Sequence, residues 1–215
     1  MRIKAVFFDV GETLIDESRD WNAWADFLGI SRFSLHALLG SLIEKGHHHR
    51  RLFEIVRPGS DFETLRRERA ASGSAFSITA DDFYPDAIDC LTSLRQAGIL
   101  VGIAGNQPQE IEQALCSLGV PADIVASSAS WGVEKPDVRF FERIVSETGG
   151  LLPSQIVYVG DRLDNDIEPA RQAGLLPVWL RRGPWALIQS TSPRFASPTH
   201  VIDHLGALPN LLQTL

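Results

Sequence analysis

Short hydrophobic runs rich in β-branched and aromatic residues recur along the chain, and each has the length of one buried strand. These runs cover residues 3–8, 100–104, 124–126, 156–159 and 178–180. Between them, apolar residues at helical spacing predict helices over 87–97, 109–118 and 138–148, each followed by a glycine. Strands that alternate with helices predict an α/β fold, in which a Rossmann-like parallel sheet lies between two layers of helices.

One long stretch, residues 16–82, interrupts this alternation. It shows helical spacing, as at Trp21, Trp24 and Phe27, and no pattern typical of a strand. Because the stretch follows the first predicted strand, we interpret it as an α-helical cap domain inserted into the core. The predicted core is then residues 1–15 with 83–215, and the predicted cap is residues 16–82. Ligands of open α/β sheets bind at the carboxyl ends of the strands, so we expect the cap to cover that edge.

The charge of the chain narrows the classes of partner. Its 215 residues include 20 Lys and Arg against 27 Asp and Glu, which gives a formal net charge of −7. Nucleic-acid surfaces need clustered basic residues, so we expect no nucleic-acid partner. No apolar run is long enough to cross a bilayer, and the segment before Asp9 is too short for a signal peptide. We therefore expect a cytoplasmic protein without a membrane partner; the sequence carries no indication of oligomeric state.

Four polar clusters fall at strand or loop ends on the same predicted edge of the sheet. They are Asp9 to Leu14, Gly105-Asn106, Lys135-Pro136 and Gly160 to Asp166. A carboxylate that attacks a phosphate needs nearby cations, because both reactants are negative. Lys135 and a divalent metal ion would supply them. Asp9 and Asp161 carry the hard oxygen donors that suit Mg²⁺, and Asp166 is placed to orient a metal-bound water or Lys135.

In this order, the four clusters resemble the four motifs of the haloacid dehalogenase-like hydrolase superfamily. The resemblance covers essentially the whole chain, including the position of the cap. It implies Mg²⁺-dependent hydrolysis of a small phosphorylated metabolite through an aspartyl-phosphate on Asp9. It also implies residue roles: Asp9 and Lys135 as catalytic residues; Gly105, Asn106 and Lys135 as phosphate-binding residues; Asp9, the main-chain carbonyl of Gly11, Asp161 and Asp166 at the metal.

The chain departs from the family pattern at Gly11, where family phosphatases carry a second Asp. That Asp protonates the leaving oxygen and later activates water, and glycine can do neither. General acid–base catalysis contributes about 10²–10⁴-fold, so we expect aryl or acyl phosphates to be favoured over alkyl phosphates. Glu12, one residue further along, is interpreted as a solvated or capping carboxylate, with a replacement acid as the alternative.

A second departure is Gly105, where the family usually places a Ser or Thr that holds a phosphate oxygen. Losing one hydrogen bond to a charged group removes roughly 1.5–3 kcal/mol of binding. The two departures leave an alternative function open: a catalytically weakened relative that binds a phosphorylated ligand or a protein partner. Dehalogenation fits poorly because the metal-site spacing is retained. Phosphonate cleavage would need a cap lysine, and Lys45, the one available, is interpreted as solvated.

One further polar cluster, Arg181-Arg182-Gly183, follows the last of these predicted strands. We interpret it as surface charge, the usual role of consecutive basic residues at a strand end.

Overall fold

A parallel sheet organises most of the chain in the computed structural model, which describes residues 2–195 and 198–215. Among the described residues the sheet has six strands, in the order β3-β2-β1-β4-β5-β6. The strands are β1 (Ala5–Phe8), β2 (Leu100–Gly105), β3 (Ile124–Ser127), β4 (Ile156–Gly160), β5 (Leu176–Leu180) and β6 (Val201–Ile202). Every pairing is parallel. The predicted α/β class with a Rossmann-like sheet is therefore confirmed.

The centre of the sheet is where the strand order reverses. β1 lies between β2 and β4, with Phe8 in register with Ile103 on one side and with Val159 on the other. In such sheets the carboxyl ends of the two strands at the reversal form a crevice that binds ligands. Asp9 and Asp161, which directly follow β1 and β4, therefore lie at neighbouring strand ends.

The sheet is buried between helices, as expected for strands that pair in parallel. All four residues of β1 have no exposed surface. On one face, Phe140, Phe141 and Ile144 belong to the same core cluster as Phe7 and Tyr158. The helices that accompany the sheet are α5 (Ala87–Gln96), α6 (Gln109–Ser117), α7 (Ser128–Trp131), α8 (Val138–Glu147), α9 (Glu168–Gln172), α10 (Gly183–Gln189) and α11 (Leu208–Leu212).

The chain divides into two compact units, Met1–Asp16 with Ile78–Leu215 and Glu17–Ser77. We name the first the sheet unit and the second the helical unit. The helical unit contains no strand and is built from α1 (Ser18–Leu28), α2 (Arg32–Glu44), α3 (Arg51–Val56) and α4 (Phe62–Ala71). The interpretation of residues 16–82 as a cap remains a prediction.

Aromatic side chains form much of the interior of the helical unit. The rings of Trp24 and Phe53 lie with their centroids 4.7 Å apart, edge to face. Arg69, which is 3% exposed, lies 4.4 Å over the Trp24 ring and donates to Asp20 at 2.7 Å. None of the helices in the described part of the chain is long and apolar enough to span a membrane.

Candidate active site

Four side chains meet at the carboxyl ends of β1 and β4. The Lys135 Nζ atom lies 2.7 Å from Asp9 Oδ1 and 2.5 Å from Asp166 Oδ1. Asp9, Asp161 and Asp166 each offer a carboxylate oxygen, and these oxygens lie within 4.8 Å of one another. The lysine side chain is 1% exposed and that of Asp166 is fully buried. The fold thus brings together the acidic and basic residues singled out from the sequence.

Asp166, the second carboxylate that contacts Lys135, is held in place by the backbone of its own loop. The Arg162 N–H donates to Asp166 Oδ2 at 3.0 Å, while Oδ1 faces Lys135. A Cβ atom at Gly160 would lie 2.4 Å from the Asp166 carboxyl carbon. Glycine at the end of β4 is therefore what allows this carboxylate to pack against the strand.

Asn106 holds the backbone that carries the lysine. Its side-chain Nδ2 donates to the Lys135 carbonyl, and its Oδ1 accepts from the Lys135 N–H, both at 2.8 Å. Both polar atoms of this amide are thereby bonded to Lys135. A phosphate-binding role for Asn106 would consequently fall to its main-chain N–H.

Burial and crowding of like charges dominate the electrostatics of the cluster. Burial, followed by the carboxylates of Asp166 and Asp9, raises the pKa of Asp161 well above its usual range. Burial also raises the pKa of Asp166 to about 6, although the Lys135 ammonium opposes it. Burial alone would lower the pKa of Lys135, but Asp166 and Asp9 outweigh it and the pKa is raised. The lysine is therefore a permanent cation shared by several acids.

One oxygen of the cluster lacks a partner. Asp161 Oδ2 is buried and has no hydrogen-bond partner among the described residues. Buried carboxylate oxygens are normally bonded, and three carboxylates around one ammonium leave an excess of negative charge. Hard carboxylate oxygens at this spacing are the donors that Mg²⁺ takes. The donor set and the unbonded oxygen both fit a divalent cation.

Gly105 ends β2 directly beside the carboxylate of Asp9. A Cβ atom at this position would lie 2.6 Å from Asp9 Oδ1 and 3.2 Å from the Val10 side chain. Space for the Asp9 carboxylate therefore explains the glycine. A Ser or Thr at this position would require the Asp9 carboxylate to shift away from it.

Glu12 is not solvated, so the interpretation of this residue as a solvated carboxylate is wrong. It is 6% exposed and has a left-handed backbone with φ 53°. The Tyr84 hydroxyl donates to Glu12 Oε2 at 2.7 Å. A Cβ atom at Gly183 would lie 2.5 Å from the same oxygen. The glutamate is thus enclosed by residues of the sheet unit that are distant in sequence.

Sequence reasoning also missed Arg182 and Gln189. The interpretation of Arg181 and Arg182 as surface charge holds for Arg181 and is wrong for Arg182, whose side chain is only 12% exposed. Arg182 donates to the Thr13 carbonyl at 3.0 Å. Gln189 is 5% exposed and accepts from the Leu163 N–H at 2.7 Å. The one sequence signal for either residue is Gly183, which directly follows Arg182 and begins α10.

A buried lysine between acidic side chains at the reversal point of a parallel sheet is an enzyme-like arrangement, since a binding surface has no need of such crowded charge. A family model described as haloacid dehalogenase-like hydrolase matches residues 3–174. The chain belongs to this family, and the expected phosphatase-type hydrolase is thereby confirmed.

Individual relatives agree with this placement. Glyceraldehyde 3-phosphate phosphatase of Methanopyrus kandleri is 33% identical over 212 residues, covering 89% of this chain and 88% of the relative. The Pyrococcus furiosus protein of the same name is 28% identical, covering 100% of this chain and 93% of the relative. Among solved structures, the magnesium-bound HAD-hydrolase YfnB of Bacillus subtilis has a TM-score of 0.74 at 17% identity, over 99% of each chain. The last similarity concerns the fold alone.

Proposed function

We propose that this chain is a Mg²⁺-dependent phosphatase that uses Asp9 as its nucleophile on a small phosphorylated metabolite. The observation that carries the proposal is the position of Lys135, whose ammonium lies 2.7 Å from Asp9 and 2.5 Å from Asp166 inside a buried acidic cluster. A buried cation beside a carboxylate reduces the repulsion between that carboxylate and an approaching phosphate. We further propose that the protein works in the cytoplasm.

The residues that would hold Mg²⁺ are Asp9, Asp161 and the main-chain carbonyl of Gly11, with Asp166 beside them. The unbonded Asp161 Oδ2 supports this assignment, because a cation would satisfy an oxygen that the protein leaves without a partner. A bound Mg²⁺ would supply positive charge to the phosphoryl oxygens of the substrate. Asp166 supports the site indirectly as well, since it fixes the ammonium of Lys135.

The proposed reaction has two displacements at phosphorus. An Asp9 carboxylate oxygen attacks the phosphorus, the bond to the leaving oxygen breaks, and an aspartyl-phosphate forms. Water then attacks the phosphorus of this intermediate, which releases inorganic phosphate and restores the Asp9 carboxylate. Lys135 stays protonated throughout and compensates the charge of the phosphoryl group. In the first displacement the leaving oxygen departs with the bonding electrons, and in the second water must lose a proton.

Gly11 has no side chain to provide or take these protons. Glu12 is the nearest acid in sequence, but the Tyr84 hydroxyl occupies its Oε2 and Gly183 packs against it. We infer that Glu12 serves the structure of this loop and does not replace the missing acid. Leaving groups that are stable as anions, such as aryl and acyl phosphates, should then react faster than alkyl phosphates.

The names of the relatives suggest natural substrates to assay first. The two relatives described above are glyceraldehyde 3-phosphate phosphatases, and a further relative, 31% identical over 46% of this chain, is a phosphoserine phosphatase of Thermus thermophilus. Both names denote small phosphorylated metabolites. We propose the same substrate class for this chain, with slow turnover of alkyl members because Gly11 supplies no acid.

The test is hydrolysis of p-nitrophenyl phosphate with and without Mg²⁺. We expect Mg²⁺-dependent turnover in the wild type, a loss of at least about 10⁴-fold in Asp9→Asn, and little change in the matched control Asp89→Asn, which alters an exposed carboxylate on α5. Equal inertness of wild type and Asp9→Asn, together with stabilisation of the fold by inorganic phosphate, would favour the phosphate-binding alternative that Gly11 and Gly105 suggest.

A second variant tests the missing acid. Gly11→Asp should raise kcat for glyceraldehyde 3-phosphate by about 10²-fold or more and raise kcat for p-nitrophenyl phosphate far less. An equal gain on both substrates would contradict the proton-transfer argument. In the wild type, slow activation of water should also allow the phosphorylated Asp9 to accumulate, which rapid acid quenching and mass spectrometry would detect.

A further inference from the structure

The part of the chain that ends β5 and forms α10 contacts both loops of the proposed metal site. We name residues 179–189 the β5–α10 segment, residues 10–15 the first loop and residues 161–166 the second loop. The first loop contains Gly11, and the second contains Asp161 and Asp166. The family model ends at residue 174, before this segment begins. The resemblance in the motifs therefore assigns the segment no role.

Arg182 is the contact of the segment with the first loop. Its Nη1 donates to the Thr13 carbonyl at 3.0 Å, and its Nη2 pairs with Asp86 Oδ2. The guanidinium lies 4.1 Å over the ring of Tyr84. A rigid planar fork can bond a carbonyl and a carboxylate in fixed directions while it stacks on an aromatic ring, an arrangement that the compact ammonium of a lysine does not reproduce.

Tyr84 and Gly183 continue this contact to Glu12. The tyrosine that stacks on Arg182 donates its hydroxyl to Glu12, and Gly183 leaves the space that the glutamate side chain occupies. Glu12 directly follows Gly11 and has a left-handed backbone, a conformation that is uncommon for residues other than glycine. The residue that follows Gly11 is thus in contact with Gly183 of the β5–α10 segment and with Tyr84, which stacks on Arg182.

Gln189 is the contact with the second loop. Its Oε1 accepts from the Leu163 N–H at 2.7 Å, and its Nε2 donates to Asp164 Oδ1 at 2.8 Å. At the other end of the segment, the Trp179 indole N–H donates to the Asp161 carbonyl at 2.8 Å. Gln189 is a buried amide with both ends bonded, so it holds the loop in one conformation.

We propose that Arg182 and Gln189 are positioning residues for the proposed Mg²⁺ site, Arg182 through the first loop and Gln189 through the second. The inference rests on the proposed function, since it concerns the same metal. A metal site needs its oxygens held at defined positions, and groups that orient the ligands change metal affinity by about 10–100-fold when removed. The two loops come from different strands, so one segment bonded to both would fix the distance between their ligands.

Hydrogen exchange of the two loops gives a test that needs no metal. In Gln189→Leu, which keeps the size of the side chain, we expect exchange in peptides covering 161–166 to rise by about tenfold and exchange in 10–15 to stay unchanged. In Arg182→Lys, which keeps the charge, we expect the reverse. Exchange in α8 provides the reference for overall stability. A uniform rise in all three regions, or no rise in either loop, overturns the inference.

Metal affinity gives the second readout. Titration calorimetry with Mg²⁺ and with Mn²⁺ should show dissociation constants about tenfold higher in Gln189→Leu and in Arg182→Lys. The matched controls are Leu187→Ala, at an exposed position on α10, and Arg181→Ala, whose side chain pairs with Asp203 at the surface. Both should bind within about twofold of the wild type. For p-nitrophenyl phosphate, saturating Mg²⁺ should restore kcat of the two test variants to within about twofold.

The outcomes separate this inference from the proposed function. A wild type that binds neither metal overturns both. Binding by the wild type with unchanged affinity in both test variants overturns the positioning role and leaves the proposed function intact. Weaker metal binding together with the loop-specific exchange pattern supports the inference, because a purely structural role would lower stability without changing the dissociation constant of the folded protein.

Discussion

Charged side chains are buried in both units of this protein, but they are balanced in different ways. In the helical unit, Arg69 donates to Asp20 and to the Ser74 carbonyl, so one cation faces one carboxylate. In the sheet unit, Lys135 faces both Asp9 and Asp166, and Asp161 adds a third carboxylate. The helical unit thus contains a neutral ion pair, whereas the sheet unit contains an excess of negative charge.

The difference shows which buried charges serve the fold and which serve chemistry. A neutral pair needs no further counter-ion, as the contact of Arg69 with Asp20 illustrates. A cluster that leaves Asp161 Oδ2 without a partner is costly to the fold on its own, because a buried carboxylate without compensation is unfavourable. Charge balance, more than burial, therefore distinguishes the candidate site, and three experiments test this distinction.

The largest effect should follow removal of each unit's buried cation. Lys135→Met leaves two carboxylates without their counter-ion, and we expect a loss of about 3–5 kcal/mol in the free energy of unfolding. Arg69→Met leaves only Asp20, whose side chain is 27% exposed and accessible to water, so we expect a smaller loss of about 1–3 kcal/mol. Urea denaturation of both variants without added metal measures these losses.

The control for this pair is Asp26→Asn in the helical unit, which breaks an exposed ion pair with Arg32 and should leave the urea midpoint unchanged. Equal losses in Lys135→Met and Arg69→Met would contradict the claim that the two clusters differ in balance.

The next effect is a change in stability that should have opposite signs when one buried aspartate is replaced in each unit. Asp161→Asn removes a carboxyl group whose ionised form is disfavoured by burial and whose Oδ2 has no hydrogen-bond partner among the described residues, so the metal-free protein should become more stable by about 1–3 kcal/mol, while its stabilisation by Mg²⁺ disappears. Asp20→Asn removes the counter-ion of a buried guanidinium and should destabilise by a similar amount. Thermal unfolding at pH 7.5, with and without Mg²⁺, measures both. Destabilisation by Asp161→Asn in the metal-free protein would contradict the claim that the charge of this carboxylate is uncompensated.

The smallest effect is the pH dependence of the acidic cluster. Since the pKa of Asp166 is raised to about 6 and that of Asp161 is also raised, the folded protein holds protons that the unfolded chain loses near pH 4. The contribution of Asp166 to stability is therefore present below about pH 4 and lost as pH rises through about 6, and the contribution of Asp161 has the same sign. Mg²⁺ binds only the ionised groups, so its stabilisation, on the order of 1 kcal/mol at a few times the dissociation constant, should appear across the same window.

Melting temperatures from pH 4.5 to 8, each with and without Mg²⁺, test the direction of this dependence. Asp166→Asn should flatten the window. Burial also raises the pKa of Asp20 in the helical unit, so Asp20→Asn changes the pH dependence of the metal-free protein but should leave the Mg²⁺ increment as in the wild type. A Mg²⁺ increment that stays constant across the range, or grows towards acid, would show that the raised pKa values do not govern metal binding.

Most strands of the sheet could be predicted from hydrophobic runs in the sequence, because parallel strands buried on both faces consist almost entirely of apolar residues. β2, β3 and β4 begin at the predicted residues Leu100, Ile124 and Ile156. β5 begins at Leu176, two residues before the predicted start, because it includes Pro177. Proline cannot donate to a strand ladder, so its presence makes a true strand look like a turn in the sequence.

The parts of the candidate site that lie at strand ends could be predicted from the sequence. The parts that depend on contacts between residues far apart in the chain could not. Asp9 and Asp161 follow strands directly, and parallel pairing places such residues at one edge. Glu12 bonds to Tyr84, which is 72 residues away, and no local pattern encodes that contact. The burial of Arg182 and Gln189 likewise depends on where α10 packs after the chain has folded.

The close approach of Glu12 to Gly183 has a consequence for how this sequence can vary. Any side chain at position 183 would collide with the glutamate, and the left-handed backbone there, with φ 73°, adds its own penalty of about 1–2 kcal/mol. The two positions are consequently not independent: the Glu12 Cβ atom alone would lie 2.7 Å from a Cβ atom at 183, so a side chain at 183 fits this backbone only if position 12 is glycine. Substitutions at positions 12 and 183 should therefore be evaluated together, although the two positions are far apart in the sequence.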